Sequence, residues 1–234
     1  METNDKIKAF DPNGLGDTSG SIYGLPFTTE EARLVILPVP WEVTVSYQAG
    51  TAAAPGAILE ASFQVDLYDP FVKDAWKLGI AMKEVNHEIK EKSQNLRLLA
   101  EDYINHLSQG FNPAENAELL AVRNKINEEG VSLNYWVKNE SLKLLDQNKI
   151  VALLGGDHST PLGLMQALAE KYPSFGILHI DAHADLREAY EGFEFSHASI
   201  MFNAMKLPQI SHLVQVGIRD YCEAEKQLIE SDER

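Results

Sequence analysis

Cysteine is almost absent from the 234-residue sequence. Cys222 is its single cysteine, so the chain cannot form an internal disulfide and offers no cysteine-based zinc site. This composition is typical of proteins from a reducing compartment, and it predicts a cytoplasmic location.

Basic residues are also in deficit. Lys and Arg together number 20 against 35 Asp and Glu, which gives a formal net charge of −15. A protein with this charge repels phosphate backbones and anionic lipid surfaces. We therefore expect neither a nucleic-acid partner nor a membrane partner.

Long hydrophobic runs are missing as well. The longest run, around residues 34–41, is interrupted by Pro38 and Pro40 and is far shorter than the roughly 20 residues that a transmembrane helix needs. Residues 1–20 are polar and of mixed charge, which is not the pattern of a secretory signal. Because 44% of the residues are hydrophobic, the sequence predicts a soluble protein with a packed core.

Segments rich in apolar and β-branched residues predict buried strands. Four such segments are clear: 33–39, 150–154, 175–180 and 213–218. A short additional strand is expected near residues 78–82. The continuous apolar character of these segments is typical of parallel strands that are covered on both faces.

Helical patterns separate the predicted strands. The long polar stretch 84–149 is expected to hold two or more helices, because its apolar residues recur three and four positions apart. Another helix is expected after Ser159 or Thr160, with Pro161 in its first turn. This alternation predicts right-handed βαβ units in an α/β fold, with three α-β-α layers around a mostly parallel sheet. In such folds ligands bind beyond the carboxyl ends of the strands.

Two polar motifs follow two of the predicted strands. Gly-Gly-Asp-His-Ser occupies residues 155–159, and Asp-Ala-His-Ala-Asp occupies residues 181–185. In an extended segment Asp181, His183 and Asp185 project from the same side and can converge on a cation. Mixed carboxylate and imidazole ligands suit Mn, Fe, Ni or Zn better than Ca or Mg.

His158 supplies a further imidazole, and a bridging carboxylate such as Asp181 can hold two ions about 3.5–4 Å apart. Taken alone, a histidine after an apolar strand is more often a core or turn residue. We interpret Asp157 as a turn or helix-cap residue that supports His158, and His179 as a core or supporting residue rather than a ligand. Clustered carboxylates nevertheless require a compensating cation, because an unpaired buried carboxylate is costly.

These motifs resemble those of the ureohydrolases, the family of arginases, agmatinases, guanidinobutyrases, formimidoylglutamases and guanidine hydrolases. Residues 155–159 are similar to the first family signature and residues 181–185 to the second. Three other segments also resemble the family: Ala54-Pro55-Gly56-Ala57-Ile58 with Gly50, Ser196-His197-Ala198-Ser199, and Val216-Gly217-Ile218-Arg219-Asp220. The resemblance extends from about Leu34 to the last residue.

The resemblance implies an arginase-like fold and a binuclear-metal hydrolase that cleaves a guanidino or formimino carbon–nitrogen bond. His158 and Asp185 would bind one metal, His183 would bind the other, and Asp181 would bridge both. Asp185 would also act in catalysis by orienting a bridging hydroxide, which attacks the trigonal guanidinium carbon so that urea and an amine are released. His197 would be a catalytic proton shuttle or a substrate contact. Its alternative is a surface loop histidine.

The resemblance also implies cofactors and assembly. Two Mn²⁺ ions are the expected cofactors, with Ni²⁺ as the alternative if the guanidine hydrolases are the nearer group. A homo-oligomer, a trimer or a hexamer, is expected. The resemblance divides the chain into an N-terminal extension, 1–30, and a ureohydrolase domain, 31–234.

One family signature is not found. A strand that ends in Asp-x-Asp, which supplies two more metal ligands, is expected several tens of residues after Asp220, whereas the sequence ends at Arg234. We therefore expect a domain that is incomplete at its C-terminus, with C-terminal strands and helices missing, and little or no activity from this chain alone. The alternative is a naturally short, non-catalytic family member that acts as an assembly partner.

Arg187 bears on the substrate. It stands where arginases place an Asn that contacts the amino-acid end of arginine, and an inward Arg187 would hold a carboxylate. The alternative is a surface salt bridge with Glu188, Glu191 or Glu194. The Asp-Leu-Arg continuation resembles formimidoylglutamases, whereas the N-terminal region resembles agmatinase-like and guanidine hydrolase-like members, so the substrate stays open.

Two other classes of protein are disfavoured. A zinc deacetylase shares the sheet architecture and an Asp-x-His motif, but it needs a paired-histidine segment and the sequence has no His-His. A nucleotide-binding loop at Gly155 and Gly156 would lack the third glycine and the lysine of phosphate-binding loops.

Overall fold

The computed structural model describes residues 3–18 and 20–234. Within these ranges five strands alternate with helices along the chain. The strands are β1 (Leu34–Val39), β2 (Ile80–Met82), β3 (Ile150–Gly155), β4 (Phe175–Ile180) and β5 (Ile210–Val216). The helices are α1 (Thr3–Ala9), α2 (Ala54–Ser62), α3 (His87–Ser108), α4 (Ala117–Leu145), α5 (Leu162–Lys171), α6 (Ile200–Met205) and α7 (Glu223–Ser231).

The strands lie close to the predicted segments. The interval 84–149 holds α3 and α4, as expected, and β4 has the predicted bounds. β5 begins at Ile210, three residues before the predicted start, and it ends at Val216 because Gly217 takes a positive φ of 90°. The α/β architecture with parallel strands is therefore confirmed.

The parallel strands form two hydrogen-bonded ladders. In the first sheet β1 pairs with β2 and with β3, so that Leu34 lies opposite both Ile80 and Ile150. In the second sheet β4 pairs with β5, with Ile180 opposite Val216. Within the described ranges no ladder joins β3 to β4. The carboxyl ends of β3 and β4 nevertheless meet at the site described below.

Helices cover the first sheet through two apolar clusters. Leu37 and Val39 of β1 pack in a cluster with Tyr103 of α3 and Val137 of α4. A second cluster contains Val35 of β1 and further apolar residues, Leu25, Phe27, Trp76, Ala81 and Leu144. Burial of this apolar surface is the main favourable contribution to stability.

The second sheet is covered on one face. Ile177 of β4 and Leu213 of β5 pack against a cluster formed by Leu162, Leu186, Ile200 and Met201. The other face carries four apolar side chains, Leu178, Ile180, Val214 and Val216, which are 65%, 74%, 55% and 49% exposed. We call these four residues the open face. The prediction that these strands are buried on both faces is thus wrong, because apolar continuity does not reveal which layer covers each face.

The predicted N-terminal extension packs against the rest of the chain. The ring of Phe10 lies 4.9 Å from that of Trp76 between centroids, and Leu25 and Phe27 are buried beside Val35. Residues 1, 2 and 19 of the extension lie outside the described residues. The boundary between 1–30 and 31–234 stays a prediction.

Two helices, α3 and α4, are long enough to cross a bilayer, with 22 and 29 residues. Both are too polar for that role, and among the described residues no other helix combines the required length and apolar character.

Candidate metal centre

The turn after β3 presents His158, and two glycines make the turn possible. A Cβ on Gly156 would lie 1.9 Å from the carbonyl oxygen of Trp41, and a Cβ on Gly155 would lie 2.4 Å from Oγ1 of Thr160. The backbone N–H of Asp157 donates to the Trp41 carbonyl at 2.8 Å. Only a residue without a side chain allows the two backbones to approach so closely, so this close contact places His158 at the carboxyl end of β3.

Asp157 has the turn role that the sequence predicts. Its Oδ1 accepts hydrogen bonds from the backbone N–H of Ser159 at 2.8 Å and from the Ser159 hydroxyl at 2.5 Å. Burial raises the pKa of Asp157, and the Ser159 hydrogen bonds oppose that rise only in part. The side chain therefore stabilises the turn that carries His158.

The second motif lies in a bent segment after β4. The strand ends at Ile180, the backbone N–H of His183 donates to Oδ1 of Asp181 at 2.9 Å, and Asp185 takes a left-handed φ of 54°. The expected regular alternation of side chains from 181 to 185 is therefore wrong. Asp181 and Asp185 converge because the backbone bends.

Three of the four predicted metal ligands come together. Nδ1 of His158 lies 2.7 Å from Oδ2 of Asp185 and 3.4 Å from Oδ2 of Asp181. Nε2 of His179 lies 3.5 Å from Oδ2 of Asp181. One ligand atom from each of these four residues lies within 4.8 Å of the others. One or two imidazoles and two carboxylates are a donor set that suits a divalent transition metal.

The charges of the cluster reinforce one another. Burial alone lowers the pKa of His158, but its hydrogen bond to Asp185 and the negative charges of Asp185 and Asp181 raise that pKa above the ordinary histidine value. Burial alone raises the pKa of Asp181, but the N–H of His183 and the charge of His158 lower it below the ordinary aspartate value. Such perturbed groups are typical of functional sites. The cluster holds carboxylate charge at a point where a cation would be stabilised.

His179 is held as a supporting residue. Nε2 of Gln215 donates to Nδ1 of His179 at 2.9 Å and to the carbonyl oxygen of Ala184 at 2.8 Å. The second bond requires the amide nitrogen at this position, so Nδ1 of His179 accepts and the neutral ring carries its proton on Nε2. Nε2 lies 3.5 Å from Oδ2 of Asp181 without forming a hydrogen bond, and burial lowers the pKa of His179. These bonds fix the ring of His179 beside Asp181. Its expected role as a core or supporting residue stays a prediction, because His179 also belongs to the four-residue group.

His183, the fourth predicted ligand, lies at the edge of the cluster. Its side chain is 60% exposed, with Nδ1 3.5 Å from Oδ1 of Asp181 and Nε2 3.9 Å from Oδ2 of Asp220. It is not part of the four-residue group. Its role as a metal ligand stays a prediction.

His197 and Arg187 both line a cavity of about 190 Å³ beside the cluster. Other residues that line it include Ser46, His183, Asp185, Tyr190, Asp220, Tyr221 and Glu225. Nδ1 of His197 is buried and has no hydrogen-bond partner among the described residues. The location of both residues therefore suits the contact with substrate that the sequence predicts, and that contact stays a prediction.

The surface salt bridge that was the alternative for Arg187 is not formed. Nε of Arg187 lies 3.8 Å from Oε2 of Glu225, and the guanidinium lies over the ring of Tyr190, 5.2 Å from its centroid. Glu225 was missed by sequence reasoning. Its spacing from Cys222 fits a capping box, but no local signal indicates that a helix 38 residues further along the chain returns to Arg187.

The chain matches known proteins along most of its length. A family model described as the arginase family matches residues 32–233. The chain is 36% identical over 190 residues to N(1)-aminopropylagmatine ureohydrolase of Thermus thermophilus, which covers 81% of this chain and 52% of that protein. It is 30% identical over 190 residues to the agmatinase of Bacillus cereus, with 81% and 53% covered. The chain thus spans about half the length of the relatives it matches.

Solved structures show the same fold. The agmatine ureohydrolase of Thermoplasma volcanium superposes with a TM-score of 0.60 at 20% identity, covering 98% of this chain and 61% of that one. The arginase of Medicago truncatula superposes with a TM-score of 0.60 at 25% identity, covering 85% and 54%. Together with the family match over residues 32–233, these likenesses establish that the chain belongs to the arginase family, the ureohydrolases.

Proposed function

We propose that this chain carries a binuclear-metal ureohydrolase site that cleaves a guanidino carbon–nitrogen bond and releases urea and an amine. The observation that carries the proposal is the convergence of His158, Asp181 and Asp185 from the ends of two different strands. Membership of the arginase family and the names of the relatives in Thermus thermophilus and Bacillus cereus support the same reaction.

The residues have distinct roles in the proposed reaction. When bound, two divalent cations, Mn²⁺ in our proposal and Ni²⁺ as the alternative, activate water as a nucleophile at neutral pH. His158 and Asp185 would hold one cation, His183 would hold the other, and Asp181 would be a ligand of both. Asp185 also accepts a hydrogen bond from the attacking water and so orients it toward the guanidinium carbon.

His197 is the proposed donor of the proton that the leaving amine requires. The leaving amine must be protonated near neutral pH, and a histidine side chain is suited to that transfer. The ring of His197 lines the cavity, and its Nδ1 has no hydrogen-bond partner within the described part of the chain. The ring therefore lies beside the cavity in which the amine would leave.

We propose a substrate with a cationic tail, such as agmatine. Three carboxylates, Asp185, Asp220 and Glu225, line the cavity together with one guanidinium, that of Arg187. Because Arg187 is paired with the buried Glu225 and Asp185 is a proposed metal ligand, Asp220 is the carboxylate left to contact the tail, and it favours an ammonium over a carboxylate. A carboxylate-bearing substrate, guanidino or formimino as in formimidoylglutamases, is the second candidate, since Arg187 does line the cavity.

Agmatine and 4-guanidinobutyrate test both proposals, because they differ mainly in the charge of the tail. Urea release is measured with each substrate in the presence of Mn²⁺, Ni²⁺ or a chelator. We expect metal-dependent urea release that is slow from this chain alone and is faster with agmatine than with 4-guanidinobutyrate. A faster reaction with 4-guanidinobutyrate would contradict the cationic-tail proposal, and a chain that binds Mn²⁺ but releases no urea would favour a non-catalytic assembly role.

Asp185→Asn removes one carboxylate charge from the cluster at almost constant shape. We expect this variant to lower kcat/KM about 100-fold or more, since removal of a single group that stabilises the transition state has effects of that size. Asp66→Asn is the matched control, because Asp66 is exposed and far from the motif in sequence. Equal activity of the two variants would refute the assigned role of Asp185.

We also propose a homo-oligomer, a trimer or a hexamer, in the cytoplasm. Static light scattering of the purified chain measures its mass in solution. A monomer would contradict the proposed assembly, and fractionation of cells that express the chain tests the location.

A further inference from the structure

Glu225 is a buried carboxylate that the proposed reaction does not use. It lies in the first turn of α7 and is 3% exposed. Its Oε2 accepts a hydrogen bond from the backbone N–H of Cys222 at 2.7 Å, which is the expected capping-box bond. Its Oε1 accepts from the backbone N–H of Leu186 at 2.9 Å. Helix capping does not account for the second bond, because Leu186 lies 39 residues away along the chain.

The peptide group that joins Asp185 to Leu186 is held at both ends. Its carbonyl oxygen, on Asp185, accepts hydrogen bonds from the backbone N–H groups of Met201 and Phe202 at 2.9 and 3.2 Å. Its N–H, on Leu186, donates to Glu225. The α6 backbone therefore fixes one end of this peptide, and a single side chain fixes the other.

This peptide sets the direction of a proposed metal ligand. Asp185 has a φ of 54°, a left-handed conformation that costs free energy for a residue with a side chain and persists when the surrounding structure enforces it. In that conformation Oδ2 of Asp185 lies 2.7 Å from Nδ1 of His158. Leu186 is buried, so water is not at hand to replace Glu225 as the acceptor for its N–H.

We infer that Glu225 is a positioning residue of the metal centre, which holds Asp185 in its left-handed conformation through the Leu186 N–H and so directs the Asp185 carboxylate to the metal. The inference rests on the proposed function for the identity of the ligand that Asp185 binds. The hydrogen bonds that make up the backbone restraint join protein groups alone.

Two variants of Glu225 distinguish the effect of its hydrogen bond to Leu186 from the effect of its negative charge. Glu225→Gln removes the negative charge and leaves one oxygen, which can still accept from the Leu186 N–H, while the amide NH2 replaces the oxygen that accepts from the Cys222 N–H. Glu225→Asp keeps the charge but shortens the side chain by one methylene, so that its oxygen no longer reaches Leu186. Glu223→Gln is the matched control, because Glu223 is an exposed carboxylate in the same helical turn.

Two measurements are made on each variant: hydrogen exchange at the Leu186 amide without metal, and Mn²⁺ affinity by calorimetry. We expect Glu225→Asp to speed the exchange about tenfold or more and to weaken Mn²⁺ binding about 10- to 100-fold, the usual effect of losing a residue that orients a ligand. Glu225→Gln should stay within about threefold of the wild type in both, and Glu223→Gln should match the wild type.

The opposite order, with Glu225→Asp like the wild type and Glu225→Gln impaired, would overturn the inference, because it would show that the charge matters and not the hydrogen bond. Unchanged Leu186 exchange in both variants would also overturn it. Because the exchange is measured without metal, it decides the inference even if the wild type binds no Mn²⁺, an outcome that would instead contradict the proposed function.

Discussion

The two sheets of this protein have similarly apolar strands but different surroundings. In β1 of the first sheet Leu37 is 2% exposed, whereas in β4 of the second sheet Leu178 is 65% exposed. β1 has a hydrogen-bonded neighbour on each side and packs into two apolar clusters. In the described part of the chain, β4 has one such neighbour, β5, and one covered face. The difference teaches that apolar content marks a strand, while burial depends on the layers that other segments supply.

The metal centre joins these unequal sheets. His158 follows β3 of the first sheet, and Asp181 and Asp185 follow β4 of the second. No ladder joins β3 to β4 within the described residues, and the side chains of the cluster come together from the two strand ends. The geometry of the site therefore depends on both sheets, and variants that affect one sheet at a time can separate their contributions.

The largest expected difference between the sheets is in the energy of burial. Leu37→Ala should lower the free energy of unfolding by about 2–5 kcal/mol, because it leaves a cavity in a packed core. Leu178→Ala, its counterpart on the open face, should change the free energy of unfolding by less than about 0.5 kcal/mol. Urea denaturation measures both. A cost for Leu178→Ala close to that of Leu37→Ala would show that the open face is covered in solution.

Metal binding should couple the two sheets. Mn²⁺ at about 100 times its Kd is expected to raise the free energy of unfolding by about 2.7 kcal/mol, because it binds the folded state alone. Asp185→Asn should abolish this gain, whereas the exposed control Asp66→Asn should keep it. Thermal unfolding with and without Mn²⁺ measures the effect. A full gain in Asp185→Asn would exclude Asp185 from the binding of the ion.

Glycine-to-alanine substitutions near the two sheets should also differ in their effect on the free energy of unfolding. Gly156→Ala places a Cβ 1.9 Å from the backbone oxygen of Trp41, and we expect a loss of about 1–3 kcal/mol from the resulting shift of the turn that carries His158. Gly176→Ala in β4 meets its nearest atom, the backbone oxygen of His212, at an ordinary 3.5 Å, so it should be nearly neutral. Equal stabilities of the two variants would contradict the close approach at Trp41.

The sequence predicted the elements well because their signals are local. The bounds of β4 could be predicted because its apolar run ends just before Asp181. The proximity of His158 to Asp181 could be predicted because ligands bind at the carboxyl ends of parallel strands. The open face was not predictable, since nothing in the apolar pattern of β4 tells which of its faces is covered. The restraint by Glu225 was not predictable either, because it depends on a contact between α7 and the loop after β4.

The smallest expected effect on stability is electrostatic. It compares the ion pairs of α4, which packs on the first sheet, with an ion pair of α7, which follows the second sheet. Glu140 of α4 forms ion pairs with Lys83, which follows β2, and with Lys143 at 2.6 Å. Burial alone raises the pKa of Glu140, but these two lysines lower it below its ordinary value of 4.5. The carboxyl group is thus more acidic in the folded than in the unfolded state, so its contribution to stability is present above about pH 4.5 and is lost as the pH falls through the lowered pKa.

We therefore expect Glu140→Gln to lower the free energy of unfolding by about 1 kcal/mol or less near pH 7 and to cost progressively less as the pH falls below about 4.5. Glu230→Gln on α7 is the matched control, because its ion pair with Lys226 is exposed on both sides, 58% and 64%, and such pairs contribute little. Urea denaturation of both variants at several pH values measures the difference. A cost for Glu140→Gln that is the same at every pH would mean that Glu140 stabilises the first sheet by packing and hydrogen bonding alone, because only an interaction of the ionised carboxylate disappears when the carboxyl group is protonated.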